Sequence, residues 1–407
     1  MAERIVVVGA SLAGLRAVET ARRSGFTGEV VLVGAEEHLP YDRPPLSKAF
    51  LTGGGNGRRS PEPFRTREQL AELGVELRLG RRALGLDAAN RTVVLDDGGL
   101  PFDRAVIATG AYARPLPGAP DDDRIHLLRT WDDAVRLSSR LRPGARVLVV
   151  GAGFIGSEIA SSALSLGCEV TVVEAGQWPL ERALGAEMGL ACVELHRRAG
   201  VTVHLGTGVQ GIEPHDDGLT ARLSTGVRLT VDLVVVGIGA APATDWLDGS
   251  GVVVEDGAVC DATLETAVPG VFAAGDVARR HDPVSGRSVR LENWTNAAEQ
   301  GVLAGRRAAG LTGSPYAPVS YFWSDWHGTR IQMLGTSDAD EAVVLDGDPA
   351  DGAWVAGYRR GDQVVGVLAV ARPAEIMKYR RLVAGRARWA DLLAFAKERA
   401  ARRPALD

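Results

Sequence analysis

The chain reads as an α/β protein in which two Rossmann-like βαβ units precede a C-terminal α+β segment. Three observations carry that reading. A β-branched run meeting a glycine-rich turn occurs twice, each turn opens a stretch of small residues, and from about residue 319 short alternating strand candidates take over. The first copy is Arg4-Ile5-Val6-Val7-Val8-Gly9-Ala10-Ser11-Leu12-Ala13-Gly14. It is echoed by Arg146-Val147-Leu148-Val149-Val150-Gly151-Ala152-Gly153-Phe154-Ile155-Gly156. Each is followed by a small-residue helix ending near a glycine, Gly25 or Gly167, and then by a second apolar run, Val30 to Val33 or Val170 to Val173. In the last segment, strands are expected at Ala353 to Tyr358 and Val364 to Val370, and a helix from about Pro373 to Val383.

The spacing implies chemistry. In G-x-G-x-x-G the first glycine makes the tight turn, the second lets the backbone approach a pyrophosphate, and the third packs the helix on its strand. Unpaired N–H groups at the helix start then hold the phosphates. The second copy is complete, with Gly151, Gly153 and Gly156, and Glu174 ends the next strand. A carboxylate there accepts from a ribose 2′-hydroxyl and repels a 2′-phosphate, and Ala175-Gly176-Gln177 offers no Arg, so NADH is expected over NADPH. The first copy carries Ser11 where the second glycine belongs. One such turn can exist for packing alone; two in strand-turn-helix context point to two bound dinucleotides.

Composition narrows the classes further. At roughly 150 residues per domain, 407 residues imply two or three domains and exclude a lone small binding module. A net charge of -5 gives no general attraction to nucleic acid or an anionic membrane surface. Only Lys48, Lys378 and Lys397 are lysines; every other basic residue in the Lys plus Arg total of 46 is Arg. Cys168, Cys192 and Cys260 are scattered with no C-x-x-C, so they are expected as buried small hydrophobes rather than as a disulfide framework, an iron–sulfur site or a redox dithiol. The seven histidines, His38, His196 and His327 among them, show no metal-ligand spacing, and no Ser-His-Asp or paired-carboxylate arrangement suggests hydrolysis. With no signal peptide and no apolar run of membrane-spanning length, the expectation is a soluble, cytoplasmic protein.

Further motifs carry a family resemblance. Ala105-Val106-Ile107-Ala108-Thr109-Gly110 and Val234-Val235-Val236-Gly237-Ile238-Gly239 are strands entering small-residue turns, and the stretch from Thr266 ends in Ala274-Gly275-Asp276. With Pro40-Tyr41-Asp42-Arg43-Pro44-Pro45-Leu46-Ser47-Lys48 and Phe322-Trp323-Ser324-Asp325, the chain resembles the NADH-dependent ferredoxin reductases. These are two-dinucleotide-domain flavoproteins that include putidaredoxin reductase and the reductase components of Rieske-type dioxygenases. The resemblance implies an FAD domain over 1–110 and 242–318, an NAD domain over 111–241 and a C-terminal interface domain over 319–407. Pro/Gly-rich crossings near Pro115, Pro242 and Pro315 agree with those limits.

The same resemblance implies roles. FAD would be held by Gly9, Ser11, Leu12, Ala13, Gly14, Glu36, Arg43, Lys48, Ala83, Thr109, Gly110, Arg129, Gly275 and Asp276, and NAD by Gly151, Gly153, Phe154, Ile155, Gly156, Glu158, Glu174, Ile238 and Gly239. Glu292, Trp294 and Trp323 would surround the isoalloxazine, although such aromatic clusters also build cores. Relatives often carry an acid at the position of Ala35, so Glu36 or Glu37 must grip the adenosine ribose or that contact is lost. Asp276 would bond the ribityl chain; its plainer alternative is an N-cap for a helix beginning at Val277. Lys48 and Glu158 are the catalytic candidates, a cation–carboxylate pair beside the flavin, with Glu158 in the first turn of its helix, where an acid is also favoured by the helix dipole.

Flavin would take hydride as an electron pair and release electrons singly. Disulfide reductases and NADH peroxidases need reactive cysteines that this chain places elsewhere, which leaves a ferredoxin as acceptor, feeding a P450 or a Rieske oxygenase. The doublets Arg306-Arg307, Arg359-Arg360 and Arg380-Arg381 could steer an acidic ferredoxin or be solvated faces. A reductase of a small molecule such as a quinone or monodehydroascorbate, and an NADH-gated interaction protein of the apoptosis-inducing-factor type, remain alternatives.

Overall fold

The computed structural model describes residues 3–54, 60–282, 286–312 and 314–402. The described chain divides into two compact units, one of residues 1–42, 58–112 and 240–318, the other of residues 43–57, 113–239 and 319–407.

The first unit is organised on a parallel five-stranded sheet. Its strands lie in the order Val271–Ala273, Arg104–Ile107, Arg4–Val8, Glu29–Gly34 and Val75–Leu79. Their apolar runs are nearly continuous because a parallel sheet is covered on both faces. The helix Leu12–Arg23 covers the sheet and packs against the helix Trp294–Ala308. That approach is close: a Cβ on Gly301 or Gly305 would strike the carbonyl oxygen of Ala13 or Ala17. Under the helix, Glu19 is buried with its carboxylate paired to Arg16, Arg23 and Arg65. Burial alone would push that carboxyl up, and the guanidinium hydrogen bonds from Arg65 and Arg16 outweigh it, so the group sits below its ordinary range.

The second unit repeats the parallel sheet, ordered Thr202–His204, Glu169–Val173, Arg146–Val150, Leu233–Val236 and Ile125–His126. It also holds a five-stranded antiparallel sheet, Tyr321–Trp326, Thr329–Gly335, Gln363–Val370, Ala353–Arg360 and Glu341–Asp348. One apolar cluster joins the two parts, with Leu184, Met188 and Cys192 packed among Trp326, Trp354 and Leu368. The helix expected from about Pro373 is shorter and later, a 3₁₀ turn Ile376–Tyr379 continuing into Arg380–Ala384. No helix is long and apolar enough to cross a membrane among the described residues.

Two expectations are corrected. The stretch after Asp276 is a strand, Ala278–Asp282, so Asp276 caps no helix there. Val277, Ala278 and Arg280 are buried and the strand pairs with Ala258–Cys260, so sheet pairing decides the segment. Glu158 is also not in the first turn of its helix, which starts at Phe154 and has no acid there. The helix-dipole explanation for Glu158 therefore fails.

Candidate functional site

Each unit carries a glycine loop as a candidate site, and the two are built in the same way. In the first unit Gly9 leaves the strand Arg4–Val8 at φ +122°, in the backbone region that glycine alone adopts freely. A Cβ there would strike the Ala108 carbonyl oxygen, and one on Gly14 would strike that of Gly9. The loop is thus pressed between two strand ends, with Ser11 as the N-cap of the helix Leu12–Arg23. Its first turn carries no acid, so the N–H groups there face no competing local charge.

Of the other candidates in this unit, Gly275 and Thr109 lie against the loop. A Cβ on Gly275 would lie 3.1 Å from the Ala13 Cβ, and the Gly275 N–H donates to Gln300 Oε1 at 2.8 Å, which brings Asp276 to the loop. Thr109 donates its hydroxyl to the Ala243 carbonyl at 2.7 Å beside Gly110. Glu36 accepts from the Tyr41 hydroxyl at 2.7 Å, so it is oriented from its own unit, and the Glu37 stem lies against Gly80. Trp294 donates from Nε1 to Asp42 Oδ1 at 2.9 Å, and Glu292 is paired with Arg290. Ala83 is half-buried against the unit's apolar core.

The second loop repeats the construction. Gly151 has φ +105°, a Cβ on it would strike the Gly237 carbonyl oxygen, and one on Gly156 would strike that of Gly151. The middle position differs: a Cβ on Gly153 would meet only the Gly237 oxygen, at 3.7 Å. Nothing in the fold itself demands glycine there, which is what a position kept bare for a ligand's approach requires. Glu174 closes the loop from the next strand, with Oε2 accepting from the Ala152 N–H and Oε1 from the Gly176 N–H, both at 2.8 Å. Each oxygen keeps a lone pair for a ribose hydroxyl. Ile155 and Ile238, 47% and 36% exposed, leave apolar surface beside the loop, with Gly239 following in an open turn. Phe154 packs on Phe322 and Trp326, with ring centroids 5.0 Å and 6.2 Å apart. These features fit a dinucleotide at each loop.

The catalytic candidates meet within the second unit. Lys48 Nζ lies 2.7 Å from Glu158 Oε2, and the Glu158 carboxylate also accepts from Ser47 Oγ and Ser324 Oγ, both at 2.5 Å. Sequence reasoning found the ion pair and missed both serines. Ser324 stood inside a quoted motif, yet no spacing rule links it to a residue so far back in the chain. Trp323 is on the same strand, stacked with Tyr321 at 6.0 Å. Arg43 and Arg129, expected along FAD, are both in the second unit, where Arg43 donates to the Arg129 carbonyl at 2.6 Å.

The remaining candidates are structural or paired. All three cysteines are free and buried, and burial pushes the Cys260 thiol up to about 12, which removes thiolate reactivity. His196 and His327, expected as ordinary residues, form a pair with Nδ1 and Nε2 2.8 Å apart, and the His196 ring stacks on Trp326. Of the Arg doublets, Arg307, Arg359 and Arg360 are each ion-paired, with Glu265, Glu341 and Asp338. Among the described residues no group of three or more His, Cys, Asp or Glu is placed to hold a metal.

Known proteins resemble the whole of this arrangement. Residues 321–400 match the family described as reductase C-terminal. The chain is 36% identical over 382 residues to the ferredoxin–NAD(+) reductase component of the p-cumate 2,3-dioxygenase system of Pseudomonas putida, covering 93% of each. It is 34% identical over 396 residues to putidaredoxin reductase of Pseudomonas putida, covering 94% of this chain and 92% of that protein. Among solved structures, the covalent putidaredoxin reductase–putidaredoxin complex superimposes with a TM-score of 0.90 at 31% identity, covering 98% of this chain and 99% of the other. Since residues 3–301 match the pyridine nucleotide-disulphide oxidoreductase family, the chain belongs to that family.

Proposed function

We propose that the protein is an FAD-dependent NADH:ferredoxin reductase, taking electrons from NADH and delivering them to a small iron–sulfur protein that serves a P450 or a Rieske oxygenase. One observation carries the reading: two glycine loops of the same construction, each closed against the carbonyl of a neighbouring strand end, with the Glu174 carboxylate hydrogen-bonded to the second. The relatives named as ferredoxin reductases support the acceptor. The buried, separated cysteines support it too, because a thiol-based acceptor would need an exposed pair.

In this reading the first loop, with Leu12, Ala13, Thr109, Gly110, Gly275 and Asp276, holds FAD, and the second, with Glu174, holds NADH. Residues 1–110 and 242–318, 111–241 and 319–407 are then the FAD, NAD and interface domains, and the protein works in the cytoplasm. When bound, FAD supplies the conversion of a hydride pair into single electrons. The chain's own part is to seat the coenzyme phosphates on helix N-termini, read the ribose with Glu174, offer Ile155 and Ile238 as apolar surface, and present the Lys48 ammonium on Glu158. Glu292, Trp294 and Trp323 are assigned to the isoalloxazine surroundings, and Arg43 and Arg129 to its phosphates or adenine.

Mixing the yellow protein anaerobically with NADH, then adding ferredoxin and cytochrome c, tests the reading. Fast bleaching followed by ferredoxin-dependent cytochrome reduction is expected. Bleaching with no ferredoxin dependence would replace the acceptor by a small molecule such as a quinone, and colourless protein that takes up no flavin would end the proposal. Replacing Lys48 by Ala is expected to slow flavin reduction by NADH, read by stopped flow.

A further inference from the structure

Glu158 is 3% exposed, and its carboxylate is held from two sides. Lys48 Nζ at 2.7 Å and Ser47 Oγ at 2.5 Å meet Oε2, while among the described residues Ser324 Oγ alone meets Oε1, at 2.5 Å. The proton direction of the last bond is fixed by chemistry. An indole N–H only donates, and Trp326 Nε1 lies 2.7 Å from Ser324 Oγ. The hydroxyl accepts from Trp326, so its single proton is committed to Glu158.

A glutamate's terminal torsion is broad, and a carboxylate tied only through Oε2 would rotate and draw with it its ammonium partner, whose other contact is a longer one, to the Pro44 carbonyl at 3.3 Å. Ser47 cannot prevent this, because it shares Oε2 with Lys48. The second anchor comes from the strand Tyr321–Trp326, and Ser324 on it is fully buried. We infer that Ser324 is a positioning residue: fixed by Trp326, it holds the Glu158 carboxylate plane and thereby the place of the Lys48 ammonium. That Lys48 then faces flavin rests on the proposed function; the hydrogen-bonded chain from Trp326 to Lys48 does not.

Because Lys48, Lys378 and Lys397 are the only lysines, the chain can be read directly. The intact holoprotein is treated briefly with a limiting N-hydroxysuccinimide acetate, and acetylation at each lysine is quantified by peptide mass spectrometry, with exposed Lys397 as the internal standard. Ser324→Ala is expected to raise the Lys48-to-Lys397 ratio by about threefold or more, in the range of coupled neighbours. Glu158→Gln is expected to raise it as well. The double variant should exceed Glu158→Gln by nothing measurable, since Ser324 acts only through that carboxylate, and Ser324→Thr should restore the wild-type ratio by keeping the hydroxyl.

An unchanged ratio in Ser324→Ala, or effects of Ser324→Ala and Glu158→Gln that multiply, would overturn the inference. Should Ser324→Ala or Ser324→Thr fail to fold, Trp326→Phe keeps an aromatic ring in the apolar cluster, leaves Ser324 in place and removes the donor that directs the hydroxyl; a smaller rise is expected, and no rise overturns the inference equally. Labelling does not involve turnover. If it behaves as stated while Lys48→Ala reduces its flavin at the wild-type rate, the positioning chain stands and the role of Lys48 at the flavin fails.

Discussion

The two glycine loops share one local design and differ in what their helices lie against. The helix after the first loop is pressed on another helix at Gly301 and Gly305, and its buried charge, Glu19, is neutralised by arginines. The helix after the second loop turns polar groups toward its neighbours: Glu158 to Lys48, Ser47 and Ser324, Ser162 to the Ser47 carbonyl at 2.7 Å, and Ser161 to the His327 N–H at 2.7 Å. The loop sequence sets the backbone closure in both. What lies along the helix beyond the loop is set by its tertiary neighbours, apolar packing and one arginine-paired carboxylate in the first unit and a run of polar contacts in the second.

The largest test of that comparison exchanges which loop is damaged. Gly14→Ala is expected to leave protein without flavin colour, while Gly156→Ala keeps the colour and loses about 100-fold in flavin reduction by NADH, as a misplacement of about 1 Å can cost. Absorbance of the purified variants and stopped-flow bleaching give the two readouts; equal loss of colour in both would show that the loops are not independent sites. Next in size is Glu174→Ala. Removing the acceptor of a ribose hydroxyl is expected to lower kcat/KM for NADH about 10- to 100-fold and to narrow the gap to NADPH, read from the ratio of the two.

Next comes a pH effect in the second unit. Burial, and then the charge of neighbouring His327, lowers the His196 pKa to about 3, against about 6.5 for an unfolded histidine. The unfolded chain therefore binds a proton that the folded chain refuses, and stability falls as pH drops below about 6.5, by about 1.4 kcal/mol per pH unit toward the folded value. Denaturant midpoints between about pH 6.5 and 5, above the range where carboxylates protonate, are expected to fall more steeply in wild type than in His196→Phe; the same slope in both would place its origin elsewhere. The smallest effect is for Gly153→Ser, which copies the first loop into the second. Space exists for the side chain, so stability should hold within about 0.5 kcal/mol of wild type, while NADH binding weakens about tenfold.

What was legible from sequence was what is local. Both βαβ units could be read because β-branched runs, glycine spacing and the terminal acid Glu174 all fall within about thirty residues, as such units do. The alternative of Asp276 as a helix cap stayed open in the sequence because Val277-Ala278-Arg279-Arg280 carries no strong local preference, and pairing with Ala258–Cys260 closed it. The reach of Ser324 to Glu158 and the pairing of His196 with His327 were invisible for the same reason. Each joins elements more than a hundred residues apart, and no periodicity encodes such a meeting.

The segment around Ser47 is embedded in the first unit's stretch of sequence but belongs to the second, and the strand Val271–Ala273 returns to complete the first unit's sheet. Neither unit is a continuous piece of polypeptide. During synthesis Glu158 emerges long before Ser324, so the carboxylate waits for its last donor until most of the chain has left the ribosome. A recombination that exchanged either half at a single crossover would separate partners on both sides of the cut.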